Sequence, residues 1–95
     1  MIHSPAHPGR VLNEELGALG ISISQAAKDL GVSRQILSGI LNARRPITPE
    51  MAVRIGHYIG NGSGIWARMQ VAHDLFKAEQ AMKSKLRKIP RAETA

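Results

Sequence analysis

Residues Ser22–Asn42 read SISQAAKDLGVSRQILSGILN, and this stretch decides the fold. Two short apolar patterns of helical period meet in it at Gly31, a residue that adopts the left-handed backbone of a tight turn at little steric cost. Ala27 lies four residues before that turn and is small where two crossing helices would approach most closely. This is the arrangement of a helix-turn-helix, whose second helix enters the major groove of DNA. An ordinary helical hairpin is the alternative interpretation.

Both helices of the pair have recognisable starts. Ser22 is predicted to cap the first helix, and Gln25, three residues on, to complete a capping box. The second helix is predicted to begin at Ser33 and to direct Leu37 and Ile40 inward. These spacings favour a helix-turn-helix over the simple hairpin, because they agree with one another over the whole stretch.

The outward face of the second helix is polar. Arg34 and Gln35 lie in its first turn, the part of such a helix that meets base edges. Arginine can bond to guanine O6 and N7 and glutamine to adenine N6 and N7, so we predict that these two side chains read bases. The predicted contacts to the DNA backbone, which position a protein without reading sequence, are Ser33, Ser38, Asn42, Arg44 and Arg45. Solubility alone is the other explanation for the two arginines in this set.

Three further helical patterns flank this pair, and no convincing strand pattern is present, so the chain is predicted to be all-α with five helices. The five patterns begin at Pro8, Ser22, Ser33, Thr48 and Ser63. We divide the chain into an N-terminal arm (1–7), a helical DNA-binding domain (8–80) and a basic C-terminal tail (81–95).

The fifth helical pattern carries more apolar surface than one small core can absorb. Its candidate dimerisation residues are Trp66, Met69, Val71, Ala72 and Phe76. Since a single helix-turn-helix reads only about half of a DNA site, we predict a homodimer formed through these residues. The helix either continues to Ile89, just before Pro90, or frays from Lys83 onwards.

The composition is that of a small basic globular protein. The chain has 95 residues, enough for one domain, and a formal net charge of +6, which suits a polyanionic partner. Residues 31–49 contain three arginines and no acidic residue. Residues 77–91 contain six basic residues and one glutamate, which is either a further anionic contact or simply a solvated end.

Several function classes are excluded by the residues present. The chain has no cysteine, so disulfides, thiolate zinc sites and cysteine nucleophiles are ruled out. His3 and His7 have the spacing of a helical metal pair, but Pro5 between them argues against a helix. We therefore predict no catalytic residue, no metal and no cofactor. The apolar runs are too short to span a membrane, and residues 1–8 do not resemble a secretory signal, so a cytoplasmic protein is expected.

Five stretches of the chain resemble one family. They are His7–Gly9, Gly31–Gln35, Leu41-Asn42, Pro46–Ala52, and Trp66 with Gln70, Asp74 and Leu75. In these the sequence is similar to Xre-type helix-turn-helix proteins, and among them to the HigA-type antitoxins, also called the VapI type. The resemblance implies a lambda-repressor-like fold of five helices, a homodimer, and a palindromic operator in the protein's own promoter. It also implies a RelE-like, mRNA-cleaving toxin encoded beside it.

Two residues depart from the family pattern. Ala43 stands where the family often has a glycine after Leu41-Asn42, and Gly39 stands where a longer polar side chain is common. Gly39 is also unexpected because glycine inside a helix is about 1 kcal/mol less favourable than alanine. Close approach to DNA or to a neighbouring helix would explain it, and so would simple tolerance.

Two other functions stay open beside the antitoxin. One is a solitary Xre-type transcriptional regulator without a toxin partner. The other is a toxin-binding protein that no longer binds DNA. Four polar residues argue against that loss: Arg34, Gln35, Arg44 and Arg45. A basic toxin would need a local acidic or apolar patch on this basic chain, and Glu14 and Glu15 are the nearest acidic candidates.

Overall fold

A computed structural model describes residues 4–93 and contains five α-helices in that range. They are α1 (Pro8–Leu19), α2 (Ile23–Leu30), α3 (Arg34–Leu41), α4 (Pro49–Ile59) and α5 (Ser63–Leu86). The predicted all-α, five-helix architecture is confirmed. No helix within residues 4–93 is long and apolar enough to cross a membrane.

Side-chain oxygens cap three of the helices at the predicted positions. The hydroxyls of Ser22, Ser33 and Thr48 accept hydrogen bonds from backbone N–H groups three residues further on, at 3.1, 3.1 and 3.2 Å. The second half of the predicted capping box differs from the prediction. The side-chain amide of Gln25 donates to Asp29, one turn further along α2, at 2.8 Å. An i,i+4 bond on the helix surface therefore uses the group that was expected to reach back to Ser22.

The core lies where α1, α2, α3, α4 and the first half of α5 meet. Its most deeply buried large side chains are Leu12, Leu16, Leu37, Ile40, Ile55 and Trp66. Trp66 is only 1% exposed, and its indole N–H donates to the side chain of Asn61 at 2.8 Å. The placement of Trp66 in a dimer interface is therefore wrong, because the core of its own chain already encloses the ring.

α5 is longer than the predicted domain boundary allows. The helix passes through residues 80 and 81 and ends at Leu86, so the expected start of a separate tail lies inside it. Neither predicted end of this helix is correct, because it extends beyond Lys83 without fraying there and stops before Ile89. Only Trp66 and Gln70 are buried along its length, and Val71 is 63% exposed.

The start of α1 lies directly against the end of α3. A side chain at Gly9 would overlap the backbone carbonyl of Ile40, so only glycine permits this approach. The contact places His7, at the boundary of the predicted N-terminal arm, within the folded domain, where it is 6% exposed. His3, its suggested partner in a metal pair, lies outside the described residues.

Candidate nucleic-acid interface

α3 buries one side and presents the other to solvent. Its eight residues direct Leu37, Ile40 and Leu41 into the core. Arg34 and Gln35 are exposed in its first turn, as predicted. The turn before it is also as predicted, because Gly31 has the left-handed backbone, with φ of 73°.

An open groove of about 400 Å³ runs along the exposed side of α3. Its lining residues are Arg34, Gln35, Ser38, Gly39, Asn42 and Arg44. The fold thus brings together both predicted base-reading residues and three of the five predicted backbone contacts. Ser33 and Arg45, the other two, do not line it. Within residues 4–93, no three histidine or acidic side chains are grouped in a way that could hold a metal.

The hydroxyl and amide groups near α3 differ in how free they are to bind phosphate. The amide of Asn42 donates to the Ser38 carbonyl at 3.0 Å and to its hydroxyl at 3.3 Å. The Asn42 amide is therefore already engaged within its own helix. Ser33 only accepts in its cap, so its own hydroxyl proton is still available to a phosphate oxygen.

The two arginines of the loop between α3 and α4 each line a groove beside α3. The chain reverses at Ala43, the only non-glycine residue in the described chain with positive φ, at 59°. Arg44 lines the groove described above, whereas Arg45 lines a second groove of about 260 Å³ with Ile36 and Met51. Both arginines also line a third groove of about 290 Å³ together with His7 and Gln70. The left-handed backbone at Ala43 explains why glycine is favourable at this position.

A buried glutamine of α5 holds the far end of this loop. The side-chain oxygen of Gln70, which is 6% exposed, accepts from the Ile47 N–H at 2.7 Å. Its amide donates to Asp74 at 3.0 Å. In the sequence, Gln70 is distinguished only as part of the family resemblance. Its spacing of four residues from the buried Trp66 was the available signal, since residues i and i+4 share a helix face.

His7 caps α1 through its ring, which sequence reasoning missed because histidine is not a preferred N-cap residue. Nδ1 accepts from the Gly9 N–H at 2.9 Å, so this nitrogen carries no proton. The His73 ring of α5 lies edge-on to it, with 5.0 Å between ring centroids. The Nδ1 atom of His73 in turn lies 3.0 Å from the carbonyl oxygen of Pro5, so the segment before α1 contacts α5.

Burial lowers the pKa of His7 below its ordinary value of 6.5 and is the largest cause of the shift. The charge interactions with His73 and Arg10 lower the pKa further. Asp74 and a hydrogen bond to the backbone of Arg45 act in the opposite direction. A neutral ring at this position matches its role as a hydrogen-bond acceptor.

α4 supports the turn of the helix-turn-helix from behind. The guanidinium of Arg54 donates to the Leu30 carbonyl at the end of α2, at 2.7 Å. Tyr58, one turn further along α4, donates to Asp29 at 2.6 Å. Sequence reasoning did not find this support, because 24 and 29 residues separate the two pairs along the chain.

The helix-turn-helix family model matches residues 12–63, more than half of the chain and the whole of the α2–α3 pair. The chain belongs to the Xre-type helix-turn-helix family. A curated relative, virulence-associated protein I of Dichelobacter nodosus, is 40% identical over 79 residues. The match covers 82% of this chain and 73% of that protein.

Two solved structures from other bacteria have the same fold over nearly the whole chain. An addiction module antidote protein of the HigA family from Coxiella burnetii is 34% identical and has a TM-score of 0.88, covering 96% of this chain and 100% of that one. The Pseudomonas aeruginosa antitoxin HigA, solved with the higBA promoter, is 28% identical with a TM-score of 0.87. That match covers 95% of this chain and 99% of the other. The predicted relationship to HigA-type antitoxins is confirmed.

Proposed function

We propose that this Xre-type protein is an antitoxin that binds a palindromic operator as a homodimer and represses its own operon. We further propose that it neutralises a RelE-like, mRNA-cleaving toxin. The observation that carries the DNA-binding half is the exposed groove of α3, in which Arg34 and Gln35 lie together with Arg44. The similarity to HigA solved with its promoter supports the same conclusion.

The charge and shape of this surface suit the DNA major groove. The groove of B-DNA is about 12 Å wide and admits one α-helix. Residues 31–49, which contain α3 and the following loop, carry three arginines and no acidic side chain. Long-range attraction to phosphates therefore adds to the specific contacts that Arg34 and Gln35 can make with base edges.

An exposed apolar groove on α5 supports the homodimer. Its lining residues are Ala67, Arg68, Val71, Ala72 and Leu75. Val71 and Leu75 are 63% and 56% exposed, which is unusual for neighbouring large apolar side chains of a small domain. Two of the five predicted dimerisation residues, Val71 and Ala72, lie in this groove. Met69 is half-buried against the core, and Phe76 is half-buried further along α5.

DNA binding is tested by fluorescence anisotropy on a duplex from the region upstream of the gene. We expect a Kd of about 10 nM or tighter at physiological salt, and binding to a scrambled duplex at least about 1,000-fold weaker. Arg34→Ala should cost about 1–3 kcal/mol per half-site and relax the preference at one base pair. Arg91→Ala, which removes an equal charge beyond the end of α5, is the matched control and should retain specificity. Equal affinity for both duplexes would contradict the proposed operator binding.

Toxin neutralisation is tested by co-expression with the adjacent reading frame. A toxin that acts on ribosome-bound mRNA is expected to be basic, so an acidic patch is the favourable docking surface on this chain. Glu14 and Glu15 are exposed on α1, away from the groove of α3. Glu14→Lys combined with Glu15→Lys should abolish rescue from growth arrest and leave operator binding intact. Undiminished rescue would remove α1 from the toxin interface, and a neighbourhood without a RelE-like frame would favour the solitary regulator.

A further inference from the structure

The space that a side chain would occupy at Gly39 is filled by Arg45. A Cβ atom at Gly39 would lie 2.8 Å from Cδ, 3.0 Å from Cγ and 3.2 Å from Nε of that arginine. Real Cβ atoms essentially never make contacts under 3.0 Å. These three atoms are the nearest neighbours outside α3's own backbone, so the close approach is to the Arg45 stem and not to another helix.

The backbone of Arg45 cannot retreat from Gly39. The N–H groups of Arg44 and Arg45 both donate to the Gly39 carbonyl, at 2.8 and 3.1 Å. Two residues further on, Gln70 holds the Ile47 N–H at 2.7 Å. The steric overlap caused by a methyl group at Gly39 would therefore be relieved by a rotation of the Arg45 side chain. That rotation would move the guanidinium as well.

The alkyl stem of Arg45 lies along an apolar surface. The groove that Arg45 lines contains the apolar side chains of Ile36, Ile40 and Met51 and also Thr48 and Glu50, while Arg45 as a whole is exposed. Arginine commonly packs its methylene groups in this way while its charged end stays in water. An arginine stem held by its neighbours loses less rotamer freedom on binding than a free one.

We propose that Gly39 is a positioning residue for Arg45, whose stem crosses α3 over the missing side chain and holds the guanidinium ready for a phosphate of bound DNA. The inference rests on the proposed operator binding and adds a specific role for the glycine. It explains why a residue unfavourable to helices stands inside α3, because alanine there would misplace a phosphate contact.

A double-mutant cycle on the full-length chain tests the coupling. Binding to the operator duplex is measured by anisotropy at several salt concentrations for Gly39→Ala, Arg45→Ala and the double variant. Each single substitution should weaken binding about ten-fold per half-site, the size expected for one hydrogen bond to a charged group. Each should also reduce the slope of log K against log salt by about 0.9 per lost phosphate contact. The double variant should bind no more weakly than Arg45→Ala alone.

Two further variants separate positioning from folding. Gly17→Ala is the matched control, since Gly17 lies inside α1 with open space around its missing Cβ, and this variant should bind like the wild type. Arg45→Met keeps most of the stem without its charge and should lose the same affinity as Gly39→Ala. The thermal unfolding midpoint of Gly39→Ala should not fall, because alanine favours the helix.

Three results would overturn the inference. Unchanged affinity of Gly39→Ala would mean that the stem relocates without consequence. A full Gly39→Ala effect in the Arg45→Ala background would mean that Gly39 itself lies against DNA. A lower unfolding midpoint of Arg45→Ala with unchanged affinity would make Arg45 a stabiliser of the α3 C-terminus. A wild-type chain that fails to select the operator duplex would instead remove the proposed function, before any variant is compared.

Discussion

The α2–α3 pair consists of two helices of eight residues each, whereas α5 is a single helix of 24 residues. Isolated helices of eight residues are unstable in water, so α2 and α3 depend on their caps and on the core beneath them. α5 fully buries only Trp66 and Gln70, with Ala67 and Met69 partly buried against the core, and most of its remaining surface is exposed.

This difference corresponds to the two proposed roles, base reading by α3 and dimerisation through α5. The groove side of α3 is held from several directions, by Arg54 behind the turn and by Gln70 at the following loop. A rigid surface of this kind binds with little loss of conformational entropy. α5 combines a buried face that completes the core with an exposed apolar face containing Val71 and Leu75, which is free for a second chain.

The largest expected effect distinguishes the two faces of α5. Trp66→Ala should lower the free energy of unfolding by about 3–5 kcal/mol, because a fully buried ring is lost and Asn61 loses its partner. Leu75→Ala, on the exposed face, should leave the unfolding of the monomer within about 0.5 kcal/mol and weaken self-association instead. Urea denaturation and sedimentation measure the two quantities. The division into two faces would fail if Trp66→Ala impaired only self-association.

A smaller loss is expected where α5 holds the loop after α3. Gln70→Met fills a similar volume but leaves the Ile47 N–H without a partner, which should cost about 1–3 kcal/mol of stability. Gln80→Met is the matched control, since Gln80 is exposed on the same helix. Urea denaturation of both variants gives the comparison. Equal stability of the two would show that water readily replaces Gln70 in this loop.

A pH-dependent loss of stability is expected at the start of α1. The pKa of His7 is lower in the folded chain than in the unfolded one, so the unfolded state binds more protons as the pH falls. This contribution to stability is complete above pH 6.5 and is lost progressively as the pH falls towards the lowered pKa. His7→Asn retains a capping oxygen and should reduce the slope of stability against pH between 7 and 5. The same substitution at His57, an exposed histidine of α4, is the matched control, and an equal change of slope in both variants would contradict the role assigned to His7.

The smallest effect is expected at the chain reversal after α3. Ala43→Gly should stabilise the protein by about 0.5–1 kcal/mol, because it relieves a left-handed backbone at the cost of some unfolded-state entropy. Ala81→Gly, at an exposed position of α5, should have the opposite sign and similar size. Chemical denaturation of both variants measures the pair, and destabilisation by Ala43→Gly would contradict the strain assigned to that residue.

Most of the helix boundaries and the exposed groove of α3 were predictable from the chain. The caps at Ser22, Ser33 and Thr48 join residues only three apart, so local stereochemistry dictates them. The same periodicity that buries Leu37 directs Gln35 outward. The capping role of His7 was not predicted, although it is equally local, because a ring nitrogen takes the place of the usual side-chain oxygen.

The assignment of faces on α5 was not predictable, because apolar residues surround much of that helix and periodicity alone does not say which of them meet the core. The packing of α4 against one side of α5 determines that Trp66 is buried in the core and that Val71 is exposed. The left-handed backbone at Ala43 and the position of the Arg45 stem over Gly39 were not predictable from the sequence either.

The sequence by itself determined where the helices begin, the sharp turn at Gly31 and the polar face of α3, since each depends on residues within one or two helical turns. Tertiary structure decided that Gln70 reaches Ile47 and that Arg54 reaches Leu30, contacts that span 23 and 24 residues. Such contacts depend on the packing of whole helices, and a pattern along the chain does not specify which distant backbone group a buried side chain will meet.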